Sequence, residues 1–473
     1  MDNKKIHWES WGREKGFSLL LLCICLGFYG FFAFYDKAVI CVDSPSYINM
    51  DISREPLYPL LLWLFRGIFS SFSRDFYLTA IAFFQSMLAA FASFSLVRFL
   101  WRVFRLSWAW ALILLAMPLA VSLLCRFAAK RGSMYSNSIL TEGITISCYL
   151  FFFRYLLEYF YHMTKKSLLL CCILTFCMIS ARKQMLLALF MLLVVILIKS
   201  ISAGKIRKGI ILAGVCAFVI TAGSALLDLG YNYSVRGEAV RHSSDGRFLT
   251  TMAFYTAERG DADYIADKGI RELFLEIYDV CDEKGYLKNS AGEGWLNRVS
   301  HFGDSYDCIQ IDTMWPAVNE YVRIHMGHDG VEMSEYADRI MKEINLSVLP
   351  HNIGSMIGSF LDNFLSGLVT TVAQRKVLLN WYSLSAYIFY ILLAAENIWK
   401  CRKQKRGIDK TTQLALLTLL SVFMNVGLVS LVIFCQTRYT IYNMALFYIS
   451  LLLLLHSRFA SGRRIHKITE IEV

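Results

Sequence analysis

The chain is poor in charge: Asp, Glu, Lys and Arg make up only 18% of its 473 residues. Proline is scarce at 6, and no two of the 13 cysteines form a C-x-x-C pair. So little charge excludes a solvated surface over most of the length. The missing pair removes the zinc and dithiol sites that such spacing builds. Most cysteines, Cys171-Cys172 included, lie in apolar segments, where a thiol packs as a small hydrophobe. No P-loop, GxSxG, HExxH or GxGxxG element stands in a strand–turn–helix frame. There is no low-complexity tract and no period of 20–50 residues, so a solenoid is excluded.

What is present is apolar. Hydrophobic residues make up 56% of the chain, and the mean hydropathy is +0.47. Apolar runs of about 17–25 residues recur, a length that spans a bilayer as a helix. They predict an all-α polytopic membrane protein. About ten spans are expected, near 17–39, 76–98, 107–125, 138–158, 167–181, 184–200, 208–228, 378–398, 411–434 and 440–457. The first run, Phe17 to Phe34, reads as a span because no small-residue cleavage site follows it. The short runs 167–181 and 184–200, joined by "ARKQ", read as half-length helices or a tight hairpin. Two further segments, 57–72 and 354–373, fit helices lying in the membrane interface.

The net charge of +11 is unevenly spread. Residues 229–355 hold 21 acidic and 12 basic side chains, a net of −9, so the rest of the chain carries +20. That surplus sits in short tails and loops: Lys4–Lys5, Arg98–Arg105, Lys165–Lys166, Lys205–Lys208, Lys400–Arg406 and Arg458–Lys467. Short basic loops of this kind face the cytoplasm. Both termini are therefore expected inside, in a cell or inner membrane, and the acidic segment outside. The pattern is a topology signal and gives no reason to expect a nucleic-acid partner. Three units follow: a membrane module 1–228 with a polar first outer loop at 40–75, an acidic helical insert 229–355, and a second membrane module 356–473. Within the insert, Cys281 and Cys308 can form a disulfide if the segment is extracytoplasmic. His242 and His301 read as ordinary loop histidines. Asn232 and Asn345 begin glycosylation sequons.

Polar chemistry gathers on the expected outer side. Asp43, Tyr47, Asp51, Arg54 and Glu55 precede an apolar helix that opens with Pro56 and Pro59. Glu142 sits at the outer end of the fourth span, where it serves either as a first-turn acid or as a functional carboxylate. Arg182-Lys183 and Arg438 lie at outer turns, against the positive-inside bias, as do Arg126, Lys130 and Arg131. Outward basic residues either pair with acids and headgroups or hold an anionic ligand. Arginine suits phosphate because its planar fork donates two parallel hydrogen bonds.

Four stretches resemble one family. "DSPSYINM…SREPLYPLLLWLF" is similar to the first outer loop of GT-C class polytopic glycosyltransferases, which include the protein mannosyltransferase-like and aminoarabinose-transferase-like bacterial families. Asp43, Tyr47, Arg54, Pro56, Tyr58 and Pro59 match that pattern. "ILTEGITISCYLFFF" resembles the family's fourth-helix element, "ISARKQMLLALF" its Arg-bearing turn, and "QTRYTIYNMALFYISLLLLL" its late Arg-Tyr element. Two features depart from the family: Ser44 follows Asp43 where many relatives have a second acid, and the insert 229–355 matches nothing in it.

The resemblance implies inverting transfer of a sugar from a polyprenyl-phosphate donor to a lipid, glycan or protein acceptor. On that expectation Asp43 is the base or a metal-site ligand. Glu142 positions the acceptor or a metal, and Arg182, Lys183 and Arg438 hold the donor phosphate. Arg54 either serves the phosphate or pairs with Glu55. Tyr47, Tyr58 and Tyr439 position substrate. A divalent metal is possible, and no other cofactor is implied. A transporter or flippase, or a ligase or polymerase, of lipid-linked saccharides is the alternative.

Overall fold

Inside a bilayer no water satisfies the backbone, so apolar runs must close their own hydrogen bonds as helices. A computed structural model describes residues 2–69, 71–73, 75–128, 132–242 and 245–469. Among them the chain is helical throughout, with one isolated β-bridge between Val39 and Ser138. The first half contains α1 (Asp2–Asp36), α2 (Ser44–Ile48), α3 (Leu57–Phe69), α4 (Phe76–Val103), α5 (Trp108–Ala128), α6 (Glu142–His162), α7 (Lys165–Ala181), α8 (Leu186–Ser202) and α9 (Ile206–Arg236). Next come α10 (Asp245–Thr256), α11 (Lys268–Glu283), α12 (Trp295–Asp307), α13 (Trp315–Tyr321) and α14 (Gly330–Val348). The chain closes with α15 (Ile353–Val372), α16 (Val377–Lys403), α17 (Lys410–Val432), α18 (Thr437–Thr440) and α19 (Met444–Thr469).

Among the described residues eight helices are long and apolar enough to cross a membrane. They are Arg13–Asp36, Phe76–Val103, Trp108–Arg126, Lys183–Ser202, Ile206–Arg236, Val377–Lys403, Lys410–Val432 and Thr437–Phe459. The architecture is that of a polytopic helical membrane protein. The other two expected spans fall short for plain reasons. Arg154 and Glu158, an ion pair at 2.6 Å, lower the apolarity of α6, and α7 has only 17 residues. Both still pack inside the bundle: α6 lies against α4 and α7, and α7 against α9. At the "ARKQ" joint Arg182 is extended at φ −165° between α7 and a single 3-10 turn, Lys183–Met185, and α7 packs on α8.

One apolar core runs through α1, α4, α5, α6, α7, α8 and α19. A second joins α16, α17 and α19. Polar side chains tie helices together where lipid offers no hydrophobic drive: the Tyr29 hydroxyl lies 2.8 Å from Ser122, and that of Tyr390 2.6 Å from Ser450. Large apolar side chains such as Phe34, Phe218, Val219 and Leu378 stay exposed, which lipid tolerates and water does not.

One boundary differs from the sequence reading. Helix α9 continues past residue 228 to Arg236 and stops at Gly237, whose φ of +79° suits a glycine after a helix end. Its 31 residues run for about 46 Å at 1.5 Å each, longer than a hydrocarbon core. Helices α10 to α14 share their own core around Phe254, Phe274, Tyr306 and Met341. Cys281 and Cys308 are both free thiols. The sequon residues Asn232 and Asn345 are buried, and Asn232 donates to Asp228. His242 sits 2.6 Å from Asp228, and His301 bonds Tyr255 and the Gly285 carbonyl.

Candidate functional site

The first loop is tied down before it presents any charge. Backbone bonds from Val39 to Asn137 and from Ile139 to Val39 pair it with the strand-like approach to α6. Ser44, the residue that replaces a second acid, is fully buried and donates to the Ile139 carbonyl at 2.9 Å. Tyr58 is also fully buried. Its hydroxyl donates to Gln85 at 2.8 Å, and Gln85 in turn donates to the Ser136 and Ser138 carbonyls at 3.1 Å. Tyr58 therefore joins α3 to α4 and to the loop before α6, and its ring meets Tyr47 edge-on at 5.3 Å.

On this frame five ionisable residues form an unbroken chain of alternating charge. Arg54 Nη2 is 3.2 Å from Asp43 Oδ1. The other oxygen of Asp43, Oδ2, is 2.8 Å from Arg438 Nη1. Arg438 Nε donates to Glu142 Oε1, which also receives Arg182 Nη1 at 2.7 Å. The order is Arg54, Asp43, Arg438, Glu142, Arg182: three cations and two anions drawn from the first loop, the start of α6, the α7–α8 joint and α18. Arg54 pairs with Asp43 and not with Glu55, which instead accepts the Lys183 backbone N–H at 2.9 Å.

The two carboxylates differ in exposure. The side chain of Asp43 is 30% accessible and that of Glu142 is 0%. Glu142 is the first residue of α6, and its neighbour Thr141 makes no side-chain cap. Thr141 instead donates to Glu142 at 3.3 Å and accepts from Arg182 at 3.3 Å. Burial alone would raise the pKa of Asp43, but Arg438 and then Arg54 outweigh it and hold the carboxyl below its usual range. Arg54 is fixed further by bonds to Ser46 at 2.8 Å and Tyr47 at 3.2 Å. The Tyr439 ring lies 5.2 Å from the Arg182 guanidinium and 5.9 Å from that of Arg438. Its carbonyl is held by Gln184 at 2.6 Å and Asn425 at 3.0 Å.

Most residues singled out from sequence thus converge. Asp43, Arg54, Tyr47, Glu142, Arg182, Arg438 and Tyr439 meet directly, and Lys183 joins through its backbone. Arg126 instead pairs with Asp36, and Lys130 and Arg131 lie outside the described residues. No three His, Cys, Asp or Glu side chains come together as a metal set among the described residues, and the two carboxylates of the chain already face arginines. An apolar cavity of about 40 Å³, lined by Glu142, Tyr29, Pro118, Tyr135 and Tyr442, has room for water.

The sequence reading missed two insert residues. Asp307 ends α12 immediately before a π-helical stretch, Cys308–Met314. Its pKa is raised by burial and then by nearby Asp43. Arg247 on α10 is influenced by Arg54 and Asp43. The insert is docked here: the Tyr306 hydroxyl donates to the Val432 carbonyl at 2.8 Å, and its ring meets Phe434 at 5.4 Å. The one available signal was position, a basic residue inside the apolar-patterned stretch "RFLTTMAFY" of an acidic segment.

Neither a protein-family model nor a curated protein matches this chain.

Proposed function

We propose that the protein is an integral-membrane glycosyltransferase of GT-C type, working on the extracytoplasmic side of the cell membrane in glycan biosynthesis. It moves a sugar from a polyprenyl-phosphate donor to an acceptor hydroxyl with inversion. The observation that carries this reading is the alternating charge chain: three arginines, remote in sequence, against two carboxylates at one end of an apolar bundle. A surplus guanidinium beside lipid suits a lipid-linked phosphate.

In this reading Asp43 and Glu142 hold the arginines ready when no phosphate is bound. An entering phosphate competes for Arg438 and Arg54 and loosens their grip on Asp43. The released carboxylate then regains basicity next to the acceptor. The acceptor oxygen bonds to the anomeric carbon as the carbon–oxygen bond to phosphate breaks. The electron pair leaves with the phosphate, where the arginines stabilise it, and the acceptor proton passes to Asp43. Inversion needs one base and no covalent carboxylate intermediate. Glu142, sealed between two arginines, sets their spacing.

The test is sugar transfer from radiolabelled polyprenyl-phosphate sugars in membranes holding wild type or Asp43→Asn at matched levels. Consumption of one donor by wild type, reduced about 10²–10⁴-fold in the variant, is the expected result. Equal consumption by both removes Asp43 as the base. No consumption of any donor favours a transporter or flippase of lipid-linked saccharides.

A further inference from the structure

We propose that the cleft between α12 and α15 binds the headgroup of an anionic phospholipid, which fastens the insert to the membrane surface. None of its lining residues belongs to the charge chain, so the site stands apart from the transfer reading.

Helix α15 joins two environments. It packs on the spans α16 and α17, and also on α10 and α12 of the insert. Between the insert and α15 lies a cavity of about 10 Å³, lined in part by Tyr255, Lys288, Arg298, Ser359, Asp362 and Asn363. That volume takes one oxygen-sized group. Arg298 grips Asp362 with two parallel bonds, Nε to Oδ2 at 2.6 Å and Nη2 to Oδ1 at 2.8 Å, which matches one charge of each sign. Lys288 is the remaining cation. Its Nζ donates to the carbonyl and hydroxyl of Ser355 at 2.7 and 3.0 Å, both neutral acceptors, and a third N–H is left over. Burial holds its pKa below the usual lysine value, and Asp362, already matched to Arg298, does not reverse this. Ser359 supplies an independent observation. It is 6% exposed, and its Oγ is buried without a hydrogen-bond partner. A serine in a helix often returns its hydroxyl to the carbonyl four residues back. Here that carbonyl belongs to Ser355 and already accepts from Lys288. Among the described residues the cleft therefore holds a lysine N–H and a serine O–H with no acceptor, a costly arrangement that an anion relieves.

The outer face of α15 points to a lipid as the source of that anion. Ile353, Ile357, Leu361 and Leu365 are exposed at a spacing of four residues. Such an apolar stripe suits a helix lying in a bilayer surface. Leu296 of α12 is exposed beside them in the cleft's other wall. Its neighbour Trp295 donates its indole N–H to the Asp362 carbonyl at 3.1 Å, and indoles favour the headgroup level. At 3.6 residues per turn, Gly358 falls between the stripe and the face that carries Ser355, Ser359 and Asp362. Its missing side chain leaves the way open, since a Cβ there would stand 3.4 Å from the Lys288 Nζ. A phosphodiester passing Gly358 sets one oxygen against Lys288 and Ser359 while its acyl chains lie along the stripe. A free anion would use the donors and leave the stripe bare.

The experiment uses the purified full chain in a neutral detergent. Its melting temperature is followed against phosphatidylglycerol, phosphatidylcholine and inorganic phosphate in turn. The proteins are wild type, Lys288→Ala, Ser359→Ala and, as a control, Lys284→Ala, an exposed lysine nearby. Phosphatidylglycerol should raise the melting temperature of wild type and Lys284→Ala alike. Its half-saturating concentration should rise about tenfold in Lys288→Ala, which loses a charged donor, and about threefold in Ser359→Ala, which loses a neutral one. Without lipid, Ser359→Ala should melt no lower than wild type, because its hydroxyl has no bond to lose. That variant keeps the test decisive if Lys288→Ala, stripped of two bonds to Ser355, folds poorly. An equal wild-type response to phosphatidylcholine overturns the anionic headgroup. An equal response to inorganic phosphate, lost in Lys288→Ala, overturns the lipid. If wild type does not respond to phosphatidylglycerol, or both cleft variants respond as wild type does, the site is refuted. None of these outcomes bears on donor consumption, which tests the transfer reading separately.

Discussion

The bundle end and the insert both pair arginines with carboxylates, but in different surroundings. On the insert, Arg323 lies 2.9 Å from Glu320, with both side chains more than half exposed. At the bundle end, Arg54 lies 3.2 Å from Asp43, yet the pair belongs to a chain that includes a carboxylate with no accessible surface, Glu142. Distance therefore does not separate the two sets. Solvent does. An exposed pair exchanges water for a partner at little net gain. A buried pair must recover a desolvation cost of several kcal/mol per ion through geometry and added hydrogen bonds. The chain at the bundle end recovers it by alternation, since each carboxylate serves two arginines. Such an arrangement adds little stability over an apolar core, which is the physical reason to seek its purpose in a ligand.

The strongest way to break the comparison is Glu142→Gln. The change keeps the shape but replaces the charged acceptor that Arg182 and Arg438 share with a neutral amide. Breaking a buried pair costs about 3–5 kcal/mol, so denaturant unfolding in detergent should show a loss of that order. A loss no larger than that of an exposed pair would mean that water reaches Glu142. Gly143→Ala tests the frame behind it. A Cβ there would stand 2.5 Å from the Gln85 side chain, which is fixed by Tyr58 and two carbonyls. Overpacking of this kind costs about 1–3 kcal/mol. Because the same shift loosens the loop carrying Asp43, donor use should fall with stability.

The all-helical membrane class was legible in the sequence because apolar length alone specifies it. The spans were less so. Helix α6 carries Arg154 and Glu158 as a self-contained pair, and α7 is short, so neither matches the simple template of twenty apolar residues. The site was legible as a set of charges on one expected side, since charge in a bilayer protein stands out against its background. Its wiring was not. Adjacency suggests Arg54 with Glu55, whereas the fold brings Asp43 to Arg54 and Lys183 to Glu55. The motif suggested Tyr58 as a substrate residue, but a pattern does not say which way a side chain turns, and its hydroxyl is committed to Gln85. Asp307 stayed hidden because a charge in a polar, acidic segment is unremarkable until tertiary packing buries it.

Acid separates the two regions more gently. Folding lowers the pKa of Asp43, so its share of stability is complete above the unfolded value near 3.9. That share is lost as pH falls through the lower folded value. Melting should therefore be flat from about pH 7 to pH 5 on this account and fall below about pH 4. Asp43→Asn should flatten the acid limb. An unchanged limb in the variant would show that the two arginines do not stabilise the carboxylate.

The smallest effect sharpens the comparison from the other side. Arg323→Ala removes an ion pair shorter than that of Arg54 and Asp43, three residues from its partner in the chain and open to water. Side-chain entropy and screening by salt consume most of the gain from such a pair, leaving about 0–1 kcal/mol. Its unfolding free energy should stay within that margin of wild type, and raising salt from 0.05 to about 0.5 M should erase the difference, since the Debye length then falls toward the pair's own separation. Glu142→Gln should keep its deficit under the same salt, because ions do not reach a carboxylate sealed between two guanidiniums. If salt moves both variants alike, the bundle-end chain is solvated, and its arginines have no reason to be held for a buried phosphate.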